Sequence, residues 1–171
     1  AVASLPGFLR TAAAQDASPA AGAAAVPAAW ADLGLPEIEL QFTSSEITGM
    51  PESVEAGRYL VTIYGEPTEE DWAFAPTFLQ LPEGMTIDDL ASVDVSQGPP
   101  EFFYTALVPG GPAILAASGA TSAVGIVDLQ PGEWVVAGSA LAQPPSPFTV
   151  TGEMPDELPE PESNVTFTIG E

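Results

Sequence analysis

Ala56-Gly57-Arg58-Tyr59-Leu60-Val61-Thr62-Ile63-Tyr64-Gly65 and Pro131-Gly132-Glu133-Trp134-Val135-Val136-Ala137-Gly138 decide the fold. In each, a small residue and a glycine make a turn, an aromatic follows, and a run rich in β-branched residues ends at another glycine. Glycine reaches the positive φ of a tight turn without steric cost, and aromatic and β-branched side chains suit a pleated, half-buried surface. The two stretches therefore read as core strands of one sandwich. Tyr59, Val61 and Ile63 share one face of the first, and Leu60, Thr62 and Tyr64 share the other.

Outward from these, Ile38, Leu40 and Phe42 alternate with Glu37, Glu39 and Gln41, a period-two pattern that predicts a half-buried strand. Further strands are expected at Pro76 to Leu81, at Ala113 to Ala117 and at Phe148 to Thr151. Ala120 to Leu129 is expected to turn at Gln130-Pro131-Gly132 and pair with Glu133 to Ala140 as a hairpin. Glu46 to Met50 reads as a short extended piece. Thr86-Ile87-Asp88-Asp89 has a hydroxyl followed three residues later by a carboxylate, which predicts a short capped helix to about Ser92. Phe102, Phe103, Tyr104, Leu107 and Val108 fit a strand or a helical turn equally. The sum is an all-β, antiparallel Greek-key sandwich with one short helix and a core containing Ile38, Leu40, Phe42, Tyr59, Val61, Ile63, Phe78, Trp134, Val136 and Val150.

Four segments follow from composition. Residues 1–29 contain Ala12-Ala13-Ala14 before Gln15, the small-x-small pattern of a signal-peptidase site, and then an Ala/Pro-rich tract; they read as a signal-peptide remnant and spacer. Residues 30–152 hold the sandwich, beginning with an apolar bridge around Trp30 and Leu33. Residues 153–163 form an acidic, proline-punctuated linker. Residues 164–171 open with Asn164-Val165-Thr166-Phe167-Thr168-Ile169, which alternates like the first strand. This is either a last strand returning to the sandwich edge or the start of a truncated repeat. The expected setting is secreted or cell-envelope, with no apolar run long enough to span a bilayer.

Charge and inventory exclude more than they assign. Against 24 Asp and Glu stand two basic residues, Arg10 and Arg58, and the formal net charge is −22. Such a surface repels nucleic acid and anionic headgroups and leaves a basic or cationic protein, or a second domain of the same precursor, as partner. Without His, Lys or Cys, the Ser-His-Asp, Cys-His and Ser-Lys pairs cannot be assembled, nor can imidazole or thiolate metal sites. No catalytic residue, cofactor or enzyme activity is expected. Two carboxylates with Trp30, Trp72 or Trp134 as stacking platforms would make a carbohydrate-binding or glycoside-processing protein. Glu66, Glu69, Glu70 and Asp71 crowd one loop as a calcium candidate for an adhesion domain, without the spacing of an EF-hand. Trp72 and Phe74 beside that loop are a candidate interaction surface, or else a lid on the core.

Leu129-Gln130-Pro131-Gly132-Glu133-Trp134-Val135-Val136-Ala137-Gly138 resembles the cupredoxin family, the plastocyanin and azurin type. There a Pro-Gly turn leads into a strand that ends on the cysteine of the copper-ligand loop, and Gly138 stands at that position here. Pro51 to Tyr64 resembles the family's stretch before its first ligand histidine, and Ala75, Pro76 and Thr77 occupy the region where that histidine is expected. Leu81 to Leu90, of the form Leu-Pro-x-Gly-x-Thr-x-x-x-Leu, is similar to exported bacterial proteins of this type. The resemblance covers about residues 37–152 and implies a cupredoxin-like sandwich from which the copper ligands are missing. Met50, Met85 and Met154 offer only thioethers on separate turns.

Overall fold

The computed structural model describes residues 24–43, 45–65, 73–93, 100–138 and 144–161. The terminal strand candidate at 164–169, the Glu66, Glu69, Glu70 and Asp71 loop, Trp72 and the signal-peptidase pattern lie outside these residues.

The fold is an all-β sandwich. Sheet one contains β1 (Glu37–Phe42), β2 (Ile47–Thr48), β4 (Gly57–Tyr64) and β8 (Ser122–Leu129), in the order β2-β1-β4-β8. Sheet two contains β3 (Ser53–Glu55), β6 (Thr77–Gln80), β9 (Gly132–Ala137) and β10 (Ser146–Thr151), in the order β3-β10-β9-β6. A small two-stranded piece joins β5 (Ala73–Phe74) to β7 (Ile114–Leu115). The alternating pattern of β1 is obeyed: Ile38, Leu40 and Phe42 are buried and Glu37, Glu39 and Gln41 exposed. All ten residues expected in the core belong to one buried cluster, with Trp134 and Phe78 its largest fully buried side chains.

Two expectations about pairing are corrected. The sheets are mixed rather than antiparallel, because β1 runs parallel to β4 (Ile38 beside Val61) and β10 parallel to β3 (Val150 beside Val54). The Pro131-Gly132 turn does not close a hairpin, since β8 lies in sheet one and β9 in sheet two. The turn is instead an arch between the sheets. Val127 and Leu129 before it and Trp134 and Val136 after it all enter the same core, so the two strands must face each other rather than lie side by side. The arch is pinned from both sides, by Trp134 Nε1 donating to the Gln130 carbonyl and Gln80 Nε2 donating to that of Pro131, each at 2.8 Å.

Sheet two is buried on its outer face as well. Leu79 and Val135, cross-strand neighbours in β6 and β9, pack outward with Leu90 against Leu81, Ile87, Phe102 and Ala106. This second layer is supplied by α2 (Ile87–Ala91) and by a 3₁₀ turn at Glu101–Tyr104, so the ambiguous aromatic run resolves as a helical turn. It also explains why β9 reads as continuous Trp-Val-Val-Ala rather than alternating. A second short α-helix, α1 (Ala28–Ala31), precedes β1 and leaves Trp30 half-buried.

Helix α2 begins at a full capping box. The Thr86 hydroxyl accepts from the Asp89 N–H at 3.3 Å, and the Asp89 carboxylate accepts from the Thr86 N–H at 2.8 Å and its hydroxyl at 2.7 Å. These bonds hold the Asp89 carboxyl below its ordinary value of 3.8. A depressed carboxylate stabilises the fold above its unfolded value, and that contribution is lost as pH falls through the folded one. We expect a carbon-detected titration of Asp89 to show a midpoint below 3.8, and Thr86→Ala, which removes the hydroxyl bond and keeps the backbone one, to move it upward toward that value. A midpoint unmoved by Thr86→Ala would contradict the cap as its cause.

Candidate functional site

Among the described residues, three chain segments meet at the end of the sandwich where the family resemblance would place a metal. The antiparallel register of β6 on β9 sets Thr77 beside Ala137, which brings Pro76 and Gly138 to the same end one step further on. Both are buried. A third segment, Gly111-Pro112, crosses this end. A Cβ on Gly111 would stand 3.5 Å from the Phe78 ring and 3.7 Å from the Pro76 carbonyl, and one on Gly125 would stand 3.0 Å from the Pro112 nitrogen. A side chain at Gly125 would press on Pro112, which packs directly over that position.

Apolar groups fill the surroundings. Ile114 is buried in β7 beside Phe74 of β5, and Phe74 meets Phe42 edge-to-face at 4.8 Å between centroids. Phe148, which follows the 138–145 connection, stacks on Trp134 at 6.1 Å and meets Phe78 edge-on at 6.4 Å. Phe74, Pro76, Pro112, Ile114 and Gly138 present no imidazole, thiolate, thioether or carboxylate. The donor set therefore does not fit a type 1 copper centre, which requires two imidazoles and a thiolate.

The other sequence candidates separate. Phe74 is buried, 7% exposed, and packs against Phe42, while Trp72 beside it in the sequence lies outside the described residues. Trp134 is 1% exposed, so it offers no face to a sugar. Met50 and Met154 pack against the main core. Among the described residues no group of three or more His, Cys, Asp or Glu could hold a metal ion. The described acids are all exposed except Asp128, which is half-buried and paired with Arg58 (Nε to Oδ1 2.7 Å, Nη2 to Oδ2 2.8 Å). Burial, then the charges of Glu39 and Glu37, raise the Tyr64 phenol above its ordinary value.

One surface escaped the sequence reading. Phe103, Tyr104, Leu107 and Val108 are exposed large apolar side chains, Tyr104 by 75%. Their segment is tied to sheet two by Gln80 N–H donating to the Leu107 carbonyl at 3.0 Å. The signal was present in the run itself, because a helical turn cannot bury four neighbouring apolar residues against one face; Phe102 and Ala106 take the inward positions.

No family model and no curated protein matches the chain. Among solved structures it is similar to auracyanin B in space group P65. That likeness has a TM-score of 0.44 at 16% identity and covers 68% of this chain and 89% of auracyanin B. Among the described residues no helix is long and apolar enough to cross a membrane.

Proposed function

We propose that this chain is a metal-free, non-catalytic, cupredoxin-like domain of an exported protein, serving as a structural or protein-interaction module. The observation that carries the reading is the pairing of Thr77 with Ala137, which brings the buried Pro76 and Gly138 to the end of the sandwich where the resemblance would place histidine and cysteine. Proline and glycine at these two positions, closed over by Gly111-Pro112 and backed by Phe78, make a packed apolar end. The absence of His and Cys from the whole sequence supports the same conclusion for copper and for electron transfer through it.

Exposed carboxylates support the non-catalytic half of the reading. A glycoside-cleaving pair needs two carboxyl groups facing each other across a sugar site, one held protonated by burial or by its neighbour. Apart from Asp128, which is half-buried and paired with Arg58, the described acids are exposed and spread over β1, β3, β9, α2, the loops and the C-terminal segment. Partners complementary to such a surface are cationic proteins, and Phe103, Tyr104, Leu107 and Val108 provide the apolar area that a lasting contact requires.

A specific metal would stabilise the folded state by mass action, about 2.7 kcal/mol when free metal is a hundredfold above its dissociation constant. We expect copper(II), zinc and calcium at a few equivalents to leave the thermal midpoint unchanged, and copper(II) to give no intense visible band. A midpoint raised by several degrees by one equivalent of any of them would overturn the metal-free reading.

A further inference from the structure

Several strands begin or end together at the end of the sandwich opposite Pro76 and Gly138. There Gly57 of β4 lies beside Leu129 of β8, and Gly132 of β9 beside Val150 of β10. The chain leaving β10 crosses this end from sheet two to sheet one. Thr151 lies beside Glu55 of β3, and its carbonyl accepts from the Ala56 N–H at 2.7 Å. Met154 then packs against the main core, and Leu158 and Pro161 are half-buried. Arg58 of β4 receives the crossing. Its Nη1 donates to the Pro159 carbonyl at 2.8 Å, while its Nε and Nη2 stay on Asp128 of β8. Since Tyr59 and Val61 enter the core, Arg58 stands on the outer face of sheet one, and one guanidinium ties the crossing segment to two strands there.

What seats this segment and what opposes it respond differently to salt. The seat consists of the apolar contacts of Met154, the half-burial of Leu158 and a hydrogen bond to an uncharged carbonyl. Against it stand Glu153, Asp156, Glu157 and Glu160, all exposed, on a segment with no base of its own. The surface they approach is also negative, with Glu55 beside the start of the crossing and Glu37 and Glu39 on the outer face of sheet one. Arg58 is the only basic side chain among the described residues, and Asp128 already matches its charge. Glu160 is drawn to that guanidinium but must share it with Asp128.

The balance of charge therefore pushes the segment away, and the push is screened by salt. The screening length falls from about 30 Å at 0.01 M to about 3 Å at 1 M, whereas apolar contact does not depend on that length. Concentrated salt removes the opposition and leaves the seat.

We propose that residues 154–161 are a strap that closes this end of the sandwich in concentrated salt and is released when salt is dilute. The inference is independent of the proposed function. It concerns the end of the sandwich away from Pro76 and Gly138 and holds whether or not a metal or a protein partner binds.

Amide-nitrogen relaxation measured by NMR on the full chain tests it. In about 1 M sodium chloride the order parameters of Leu158 and Glu160 should lie near those of rigid backbone, about 0.85, and in about 0.01 M they should fall below about 0.6. Val61 and Val136 should stay rigid in both. Asp156→Asn combined with Glu157→Gln removes two of the repelling charges and should keep the strap ordered in dilute salt. Arg58→Gln, combined with Asp128→Asn so that no carboxylate is left unpaired, should leave Leu158 mobile in both. A segment ordered at both salt concentrations, mobile at both, or mobile only in concentrated salt would overturn the proposal. So would order lost at Val61 together with Leu158, which is unfolding of the whole domain, or a dilute-salt mobility unchanged by neutralising Asp156 and Glu157.

Discussion

Trp134→Ala is expected to lower the stability of the domain by about 3–5 kcal/mol, the range for truncating a fully buried aromatic. Trp134 is the largest side chain in the core, 1% exposed, and it does three things at once. Its ring stacks on Phe148 across the β9–β10 pair, its bulk fills the space between the sheets, and its Nε1 satisfies the Gln130 carbonyl in the arch. Truncation leaves a cavity in the core and also removes the hydrogen bond that pins the arch. Urea denaturation should show the midpoint displaced with the slope unchanged. Tyr104→Ala, at an aromatic exposed by 75%, should stay within about 0.5 kcal/mol of the parent. Equal effects from the two substitutions would mean that the arch does not carry the core contact described for it.

Gly49→Ala is expected to be nearly as damaging, for a reason that lies in the backbone. Gly49 follows β2 with φ +97, a conformation that L side chains rarely adopt. An added Cβ would also run into the carbonyl oxygen of Glu39 in the neighbouring strand β1. The left-handed conformation alone costs about 1–2 kcal/mol, and relieving the clash requires β2 to move off β1, so a total loss of more than about 2 kcal/mol is expected. Gly84 is the control. It has a similar φ of +83 with nothing within 4 Å of its added Cβ, so Gly84→Ala should show the conformational cost alone. Thermal midpoints that fall equally for the two variants would remove the clash from the account.

Local chemistry made much of this fold legible in the sequence. The buried face of β1 follows from strict alternation, the three inward residues of β4 from the same rule, and the start of α2 from a hydroxyl and a carboxylate three residues apart. Each of these is settled within a few residues of chain. The lack of copper donors was equally legible at Gly138 and Ala75 to Thr77, because a residue type missing from the chain cannot be restored by folding. What stayed hidden was decided across the sandwich. A Pro-Gly turn serves a hairpin and an arch alike, and the choice fell to the core that Leu129 and Trp134 share. Phe74 lay beside a charged loop in the sequence, yet Phe42, from another sheet strand, draws it inward. Arg58 and Asp128 are 70 residues apart, and nothing near either names the other.

The parallel pairing of β3 with β10 bears on the order in which the domain can assemble. Val54 waits for Val150, while Ala56 N–H waits for the carbonyl of Thr151 at 2.7 Å. In sheet one, by contrast, β1, β2 and β4 are near neighbours along the chain and need only β8 to complete the described sheet. Closing the largest loop last is the entropically cheaper sequence of events, because smaller loops formed earlier shorten the path that remains. Sheet one is thus the natural first body during synthesis, and β3 stays a bare strand until the last described strand emerges. Chains with such distant pairings fold slowly. A truncation before Ser146 would leave β9 with one neighbour, β3 with none, and the Trp134 ring without Phe148 to stack on.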